Sequence, residues 1–260
     1  MWQEFRFESV VMKKIILILS FAFLSAPPAN AQTAQDDFSF TKPDSLQKLK
    51  KLELWATQYF IHQFRSGGKI TFEDTNGVSL GLYGDTCDFC EAALEGTAYV
   101  TDSAGNVIVL NYAKTGSKTY VDCRKCKKYA GSKLNVENWG KTQWVRSSGF
   151  GDGVRNYRLL PYRTIAVDKK TIPYGTVIYI PKARGITIEL PNGEKVVHDG
   201  YFFAGDTGGA IKENHIDVFT GVFSGNPFPA VIQSNGQKTF EAYIVTDQQI
   251  LGTLTKAQVK

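Results

Sequence analysis

The stretch Asp206-Thr-Gly-Gly-Ala-Ile-Lys-Glu-Asn-His-Ile-Asp217 sets two carboxylates at the ends of a turn. Asp206 follows the apolar run Tyr201–Ala204, and Asp217 lies inside another, Ile216-Asp-Val-Phe219. An ionised carboxylate in apolar surroundings is unfavourable unless it is partnered or protonated. Burial and a neighbouring carboxylate both raise a carboxyl pKa, as a general acid working near neutrality requires. A third aspartate, Asp168, closes Ala166-Val-Asp and precedes Ile172-Pro-Tyr-Gly-Thr176. Gly208 and Gly209 are expected to take backbone conformations closed to other residues and to let the chain approach a ligand. Thr207 and Asn214 offer hydrogen bonds to a ligand or to the carboxylates. Aspartates are also ordinary turn residues, and Asp168, beside Lys169-Lys170, fits a loop cap equally well.

The four cysteines form two C-x-x-C pairs, Cys87/Cys90 and Cys123/Cys126, with 32 residues between them. Two such pairs suit either a structural zinc site or a pair of disulfides. A redox dithiol is disfavoured because neither pair reads as the opening of a βαβ helix. On either reading they staple a loop-rich region and take no part in the chemistry.

The elements that carry these residues read as mainly β. Short β-prone runs cover 69–72, 98–101, 107–110, 162–167, 176–180, 187–190, 201–204, 215–219 and 239–246. Asp74-Thr-Asn-Gly77 and Pro191-Asn-Gly193 mark tight turns between them. Many short strands at this spacing predict a closed barrel or a sandwich. Ahead of them, Asp44-Ser-Leu-Gln47 reads as a capping box. Leu46, Leu49, Leu52, Trp55 and Tyr59 follow at helical spacing, so an amphipathic helix is expected over 44–66. Residues 131–160 read as a long loop with one short helix.

The formal net charge is +5, and no Lys/Arg run falls on a periodic helix, which argues against a nucleic-acid binder. Residues 1–31 have the form of a signal peptide: Lys13-Lys14, an apolar run Ile15–Leu24, then Ser25-Ala-Pro-Pro-Ala-Asn-Ala31. Met12 is an alternative start. The first cysteine is Cys87, so no lipid-bearing cysteine follows the cleavage site. The expectation is an exported protein, periplasmic, envelope-associated or secreted, with no membrane segment after cleavage and acting as a monomer.

Ala166-Val-Asp-(x)3-Ile-Pro-x-Gly-Thr176, taken with Ala204-Gly-Asp-Thr-Gly-Gly-Ala-Ile-Lys-x-Asn-x-Ile-Asp-Val-Phe-x-Gly221, resembles the three-Asp (3D) domain of bacterial cell-wall enzymes. These include the membrane-bound lytic transglycosylase A family and stationary-phase survival proteins. Gly96-Thr-Ala-Tyr99 with Thr115-Gly116 looks like the family's opening strand and loop, and Phe240–Val245 like its closing strand. The resemblance implies a double-psi β-barrel over 95–250, with an insertion at about 115–158 carrying the second C-x-x-C pair. Around it the expectation is a tail at 32–43, the helix at 44–66, a Cys-stapled extension at 67–94 and a second tail at 251–260.

By the same resemblance Asp217 is the catalytic acid/base, with Asp206 and Asp168 its partners in the groove. Thr207, Gly208, Gly209, Lys212, Asn214 and Tyr162 contact substrate. Trp139, Trp144 and Tyr157 are further stacking candidates. Two positions depart from the family: Glu213 stands where glycine is usual, and His215 where arginine or a similar residue is common. The implied substrate is peptidoglycan, cleaved between N-acetylmuramic acid and N-acetylglucosamine with formation of a 1,6-anhydro ring and no catalytic cofactor. The rival readings are hydrolysis by two carboxylates and a non-catalytic glycan-binding barrel of the expansin kind.

Overall fold

The computed structural model describes residues 38–260; the segment expected to be a signal peptide, and the first half of the 32–43 tail, lie outside them. The expected helix at 44–66 is absent. A short 3-10 turn, Leu46–Lys48, leads into strand β1 (Lys51–Tyr59) and then β2 (His62–Arg65). The capping box expected with Asp44 at the N-cap does not form: Ser45 holds that place ahead of the turn and makes no side-chain cap. The reason is a pattern that fits two periods. Leu52, Leu54 and Ala56 alternate with Trp55, Thr57 and Tyr59, and this period of two fits a pleated strand buried on one side. Trp, Thr and Tyr also favour strands.

The chain then leaves the barrel. The hairpin β3 (Ile70–Glu73) and β4 (Ser79–Gly84) turns at 74–78, and helix α1 (Thr86–Glu95) follows, capped by Asp85. Strands β5 (Thr97–Thr101) and β6 (Val107–Thr115), the short helix α2 (Val136–Trp139) and strand β7 (Thr142–Ser147) complete the excursion. β2, β5, β6 and β7 make one sheet, packed with α1 around Phe72, Phe89, Leu110 and Trp144. The Gly96–Tyr99 strand, expected to open the barrel, therefore belongs to this second unit. The 131–160 loop contains a strand, β7, that the sequence reading missed.

The four cysteines are joined as Cys87–Cys126 and Cys90–Cys123, each disulfide linking one C-x-x-C pair to the other. Sulfurs bonded in this way offer no thiolate to zinc. Cys87 and Cys90 do open a helix directly after a strand, contrary to the sequence reading. That strand, β4, pairs only with β3, so the βαβ context is still lacking.

The return path lays down β8 (Thr164–Val167), β9 (Val177–Tyr179), the hairpin β10 (Thr187–Glu189) and β11 (Lys195–Val197), β12 (Tyr201–Asp206) and β13 (His215–Phe219). Helix α3 (Pro229–Ile232), β14 (Phe240–Ile244) and helix α4 (Gln248–Gln258) follow; α4 replaces most of the tail expected at 251–260. A six-stranded barrel closes in the order β1-β13-β8-β12-β9-β14. Its parallel pairs are β1/β13 and β8/β12. Leu54, Ala56, Ile165, Val167, Ile178, Phe202, Ala204, Ile216, Val218 and Phe240 fill the interior. Beneath it, Arg163 and Asp199 make a fully buried bidentate ion pair at 2.8 and 3.1 Å.

Candidate active site

The outward-facing side chains of the barrel wall bring the carboxylates together. Asp217 pairs with Thr57 on one side and Ala166 on the other. Ala166 in turn faces Asp206. One transverse row therefore reads Thr57, Asp217, Ala166, Asp206 across β1, β13, β8 and β12. With neighbouring strands about 4.8 Å apart, the two aspartate backbones lie about 10 Å apart over a single methyl group.

A bulge puts Asp206 in that row. Strict alternation would place it on the same side as Ala204, inside the barrel. The register slips between Ala204 and Asp206, so Gly205 is skipped and Asp206 is turned to the outer face beside Ala166. Bulges often re-aim side chains next to active sites. Glycine fits here because a Cβ at 205 would lie 3.1 Å from both Phe203 and Thr164.

The surroundings raise the pKa of both carboxyls. Tyr59, Ile61, Tyr99, Val109, Ala166, Ile211 and Phe219 form an apolar cluster along the seam between the barrel and the second unit. Burial there pushes Asp217 up to about 7, with the nearby Asp206 adding to the rise and the Thr57 hydrogen bond opposing it. Burial likewise lifts Asp206 to about 6, against hydrogen bonds from the Thr207 amide and Tyr59. Thr57 Oγ1 donates to Asp217 Oδ1 at 2.9 Å, and Tyr59 Oη donates to Asp206 Oδ2 at 2.8 Å. The Thr207 amide donates to Asp206 Oδ1 at 2.8 Å. A third raised carboxyl stands nearby. Glu95, at the end of α1, reaches about 8 through burial and feels the charge of Asp217. It accepts the Phe60 amide at 2.9 Å.

Such a row can donate a proton near neutrality at Asp217 and take one back. Residues 163–226 match the 3D domain family model. This 3D segment runs from just ahead of β8 to just past β13 and carries all three aspartates. No curated protein sequence matches the chain. Among solved structures the chain is similar to Escherichia coli MltA with bound chitohexaose: 14% identity, 74% of this chain and 71% of that chain covered, TM-score 0.48. It is similar to a membrane-bound lytic murein transglycosylase of Agrobacterium tumefaciens at 13% identity, 78% of each chain covered, TM-score 0.47. The lytic transglycosylase LtgG of Burkholderia pseudomallei matches at 17% identity, 75% and 71% coverage, TM-score 0.37.

The remaining expected site residues of the 3D segment divide sharply. Asp168 stands apart from the row. It accepts the amides of Lys170 and Glu213 at 3.0 and 3.1 Å. Those bonds, with the charges of Lys170 and Lys212, hold its carboxyl below the usual range. Its observed contacts are those of a turn clamp. Lys212 thus acts on Asp168. Gly208 and Gly209 do not take positive φ; the residue in that turn which does is Glu213, at 55°. Glycine at 208 is explained by close packing instead, since a Cβ there would meet Ile211 at 2.9 Å. Asn214 is occupied in binding β1, its amide donating to the Glu53 carbonyl at 3.1 Å. Thr207 Oγ1 reaches the Val167 carbonyl at 3.3 Å.

Tyr162 is not available to stack on a substrate. It is 2% exposed in the barrel core, turned inward by a left-handed backbone at φ 61°. Trp144 is fully buried in the second unit. The ring pair beside the carboxylates is instead Trp55 and His215, stacked at 3.6 Å and 3°. Trp55, Thr57 and Tyr59 escaped the sequence reading because 44–66 was read as a helix. Their alternation with Leu52, Leu54 and Ala56 was the available signal. Glu95 gave no signal, since only the tertiary fold brings it to the seam.

Proposed function

We propose that this protein cleaves the glycan strands of peptidoglycan at the bond between N-acetylmuramic acid and N-acetylglucosamine, with Asp217 as acid and then base. The observation that carries the reading is the burial of Asp217 in the barrel row, which leaves its carboxyl titrating at about 7. Such a group holds a proton to give and becomes a base strong enough to recover one. Asp217, protonated, donates to the bridging oxygen as positive charge develops at the muramic C1. The resulting carboxylate takes the proton of the C6 hydroxyl, whose oxygen bonds C1 and closes the 1,6-anhydro ring. Thr57 and Asp206 set the charge on Asp217. Trp55, half-buried and backed by the buried His215 ring, offers a flat apolar face beside it for a sugar ring.

The barrel belongs, on this reading, to the double-psi type, with two parallel strand pairs among antiparallel ones. The domain boundaries differ from the sequence expectation: β1 joins β8–β14 in the barrel, and about 60–150 forms the second unit. A protein acting on peptidoglycan works outside the cytoplasm, as the signal-like residues 1–31 suggest. No helix among the described residues is long and apolar enough to cross a membrane. We take the protein to act as a monomer, without a catalytic cofactor.

Digestion of purified sacculi followed by mass spectrometry tests the proposal. Anhydro-muropeptides are expected. Reducing-end products would mean hydrolysis by two carboxylates, and bound glycan without fragments would mean a binding barrel.

A further inference from the structure

Residues 114–141 of the second unit hold eight Lys/Arg against two Asp/Glu, Asp122 and Glu137. The rest of the chain has 22 Lys/Arg against 23 Asp/Glu. This one segment therefore carries more than the whole net charge of +5. An ordinary solvated surface intersperses the two signs instead.

The backbone of the segment turns its charge to one side. Two short 3-10 turns, Cys123–Lys125 and Lys127–Tyr129, follow one another. Cys123, Cys126 and Tyr129 are buried, and the two residues between each are exposed. A repeat of three is the period of such turns. Arg124, Lys125, Lys127 and Lys128 therefore stand together on the outer face. Lys128 is held by Glu91 of α1 at 2.8 and 2.9 Å, and Arg124 by the Ser132 carbonyl at 3.3 Å. Lys125, Lys127 and Lys133 are exposed and have no ion-pair partner among the described residues. Four like charges within five residues repel one another. The disulfides Cys87–Cys126 and Cys90–Cys123 pin both turns to α1 and keep the charges crowded. An arrangement that works against stability in this way points to a function.

The basic face adjoins the candidate active site. From Cys90 the helix runs about 7.5 Å to Glu95, which accepts the amide of Phe60 at 2.9 Å. Phe60 is the crossing point between barrel strand β1 and strand β2 of the second sheet.

We propose that this disulfide-pinned basic face binds the carboxylates of peptidoglycan stem peptides and holds the wall against the enzyme outside the cleft. This rests on the proposed substrate and adds a second point of attachment to it. Muramic residues carry peptide stems whose free carboxylates make the polymer a polyanion. Lysine, a compact charge on a flexible stem, suits carboxylates scattered over a mesh better than one fixed bidentate site would. Attraction of this kind is screened by salt.

The test is co-sedimentation of the full chain with purified sacculi over a range of salt. Asp217→Asn is the parent, so that no glycan is cut during the measurement, and Lys125→Gln, Lys127→Gln and Lys133→Gln are added to it together. An exposed charge pair is worth about twofold in affinity, so the three should cost about tenfold at low salt, fading toward about 1 M. On sacculi whose carboxyls have been amidated, parent and triple variant should bind alike. Equal affinity of the two for native sacculi overturns the proposal. A loss that persists on amidated sacculi, or a parent that binds phosphatidylglycerol vesicles and not sacculi, does the same. If the triple variant does not fold, the parent decides: its affinity must fall on amidation, and an undiminished affinity refutes the basic face. The expected binding without anhydro-muropeptides from the wild type would keep the basic face and sink the lytic reading. Lytic products with no charge-dependent binding would do the reverse.

Discussion

Replacing Asp217 with asparagine separates catalysis from stability and gives each a sign. The carboxyl moves from an ordinary 3.8 to about 7 on folding. At about 1.4 kcal/mol per tenfold change, the full displacement corresponds to about 4 kcal/mol against the charged form. Asp217 is only partly buried, and part of the rise comes from Asp206, so a penalty of about 1–3 kcal/mol at pH 8 is the more realistic figure. A folded-state pKa above the unfolded one means the native state binds the extra proton between about pH 4 and 7. Stability therefore falls as pH rises through that window. Asparagine keeps an oxygen that accepts from Thr57 and never ionises. Asp217→Asn should match the wild type near pH 3.5 and exceed it in Tm by about 2–10 °C at pH 8. Scanning calorimetry at both pH values reads this directly. Sacculus digestion should drop by about 10²–10⁴-fold, the usual worth of general acid–base catalysis. A variant whose Tm is equal to or below the wild type at pH 8 would show that the carboxylate is not held against its charge, and the acid/base argument would fail with it.

Three further outcomes follow from the same geometry. Tyr59→Phe removes a 2.8 Å hydrogen bond to Asp206, so the Asp206 midpoint should rise above about 6 in carbon NMR; a fall would contradict the assigned donor. Glu213→Gly relieves a left-handed backbone at φ 55° while keeping the amide that binds Asp168. It should stabilise the protein by about 1 kcal/mol in urea unfolding, and destabilisation would mean that the glutamate side chain matters to the turn. Thiol titration of the denatured, unreduced protein should find no free thiol, and metal analysis no zinc. Reductant should lower stability by about 3–4 kcal/mol, the loop-closure worth of one such crosslink.

Much of the barrel could be read in advance, because strands buried on one face or both announce themselves locally. All nine β-prone runs picked out by composition contain a strand, and both Gly-containing turns join hairpins, β3/β4 and β10/β11. The misreading at 44–66 has a different origin. Leu46, Leu49, Leu52, Trp55 and Tyr59 satisfy a helical repeat, while Leu52, Leu54 and Ala56 satisfy a strand repeat. The tie is broken only by β13 and β14, some 160 to 190 residues away, which need β1 between them to close the barrel. That lost strand carries the Thr57 and Tyr59 hydroxyls, so the groups that tune the two aspartates stayed hidden even though the aspartates themselves were legible. Asp206 shows the limit in a single residue. Strand alternation alone would put it inside the barrel with Ala204, and only the slip at Gly205 turns it to face Ala166. Local pattern therefore identifies the carboxyl groups of such a site, whereas their charge states depend on pairings that no local window contains.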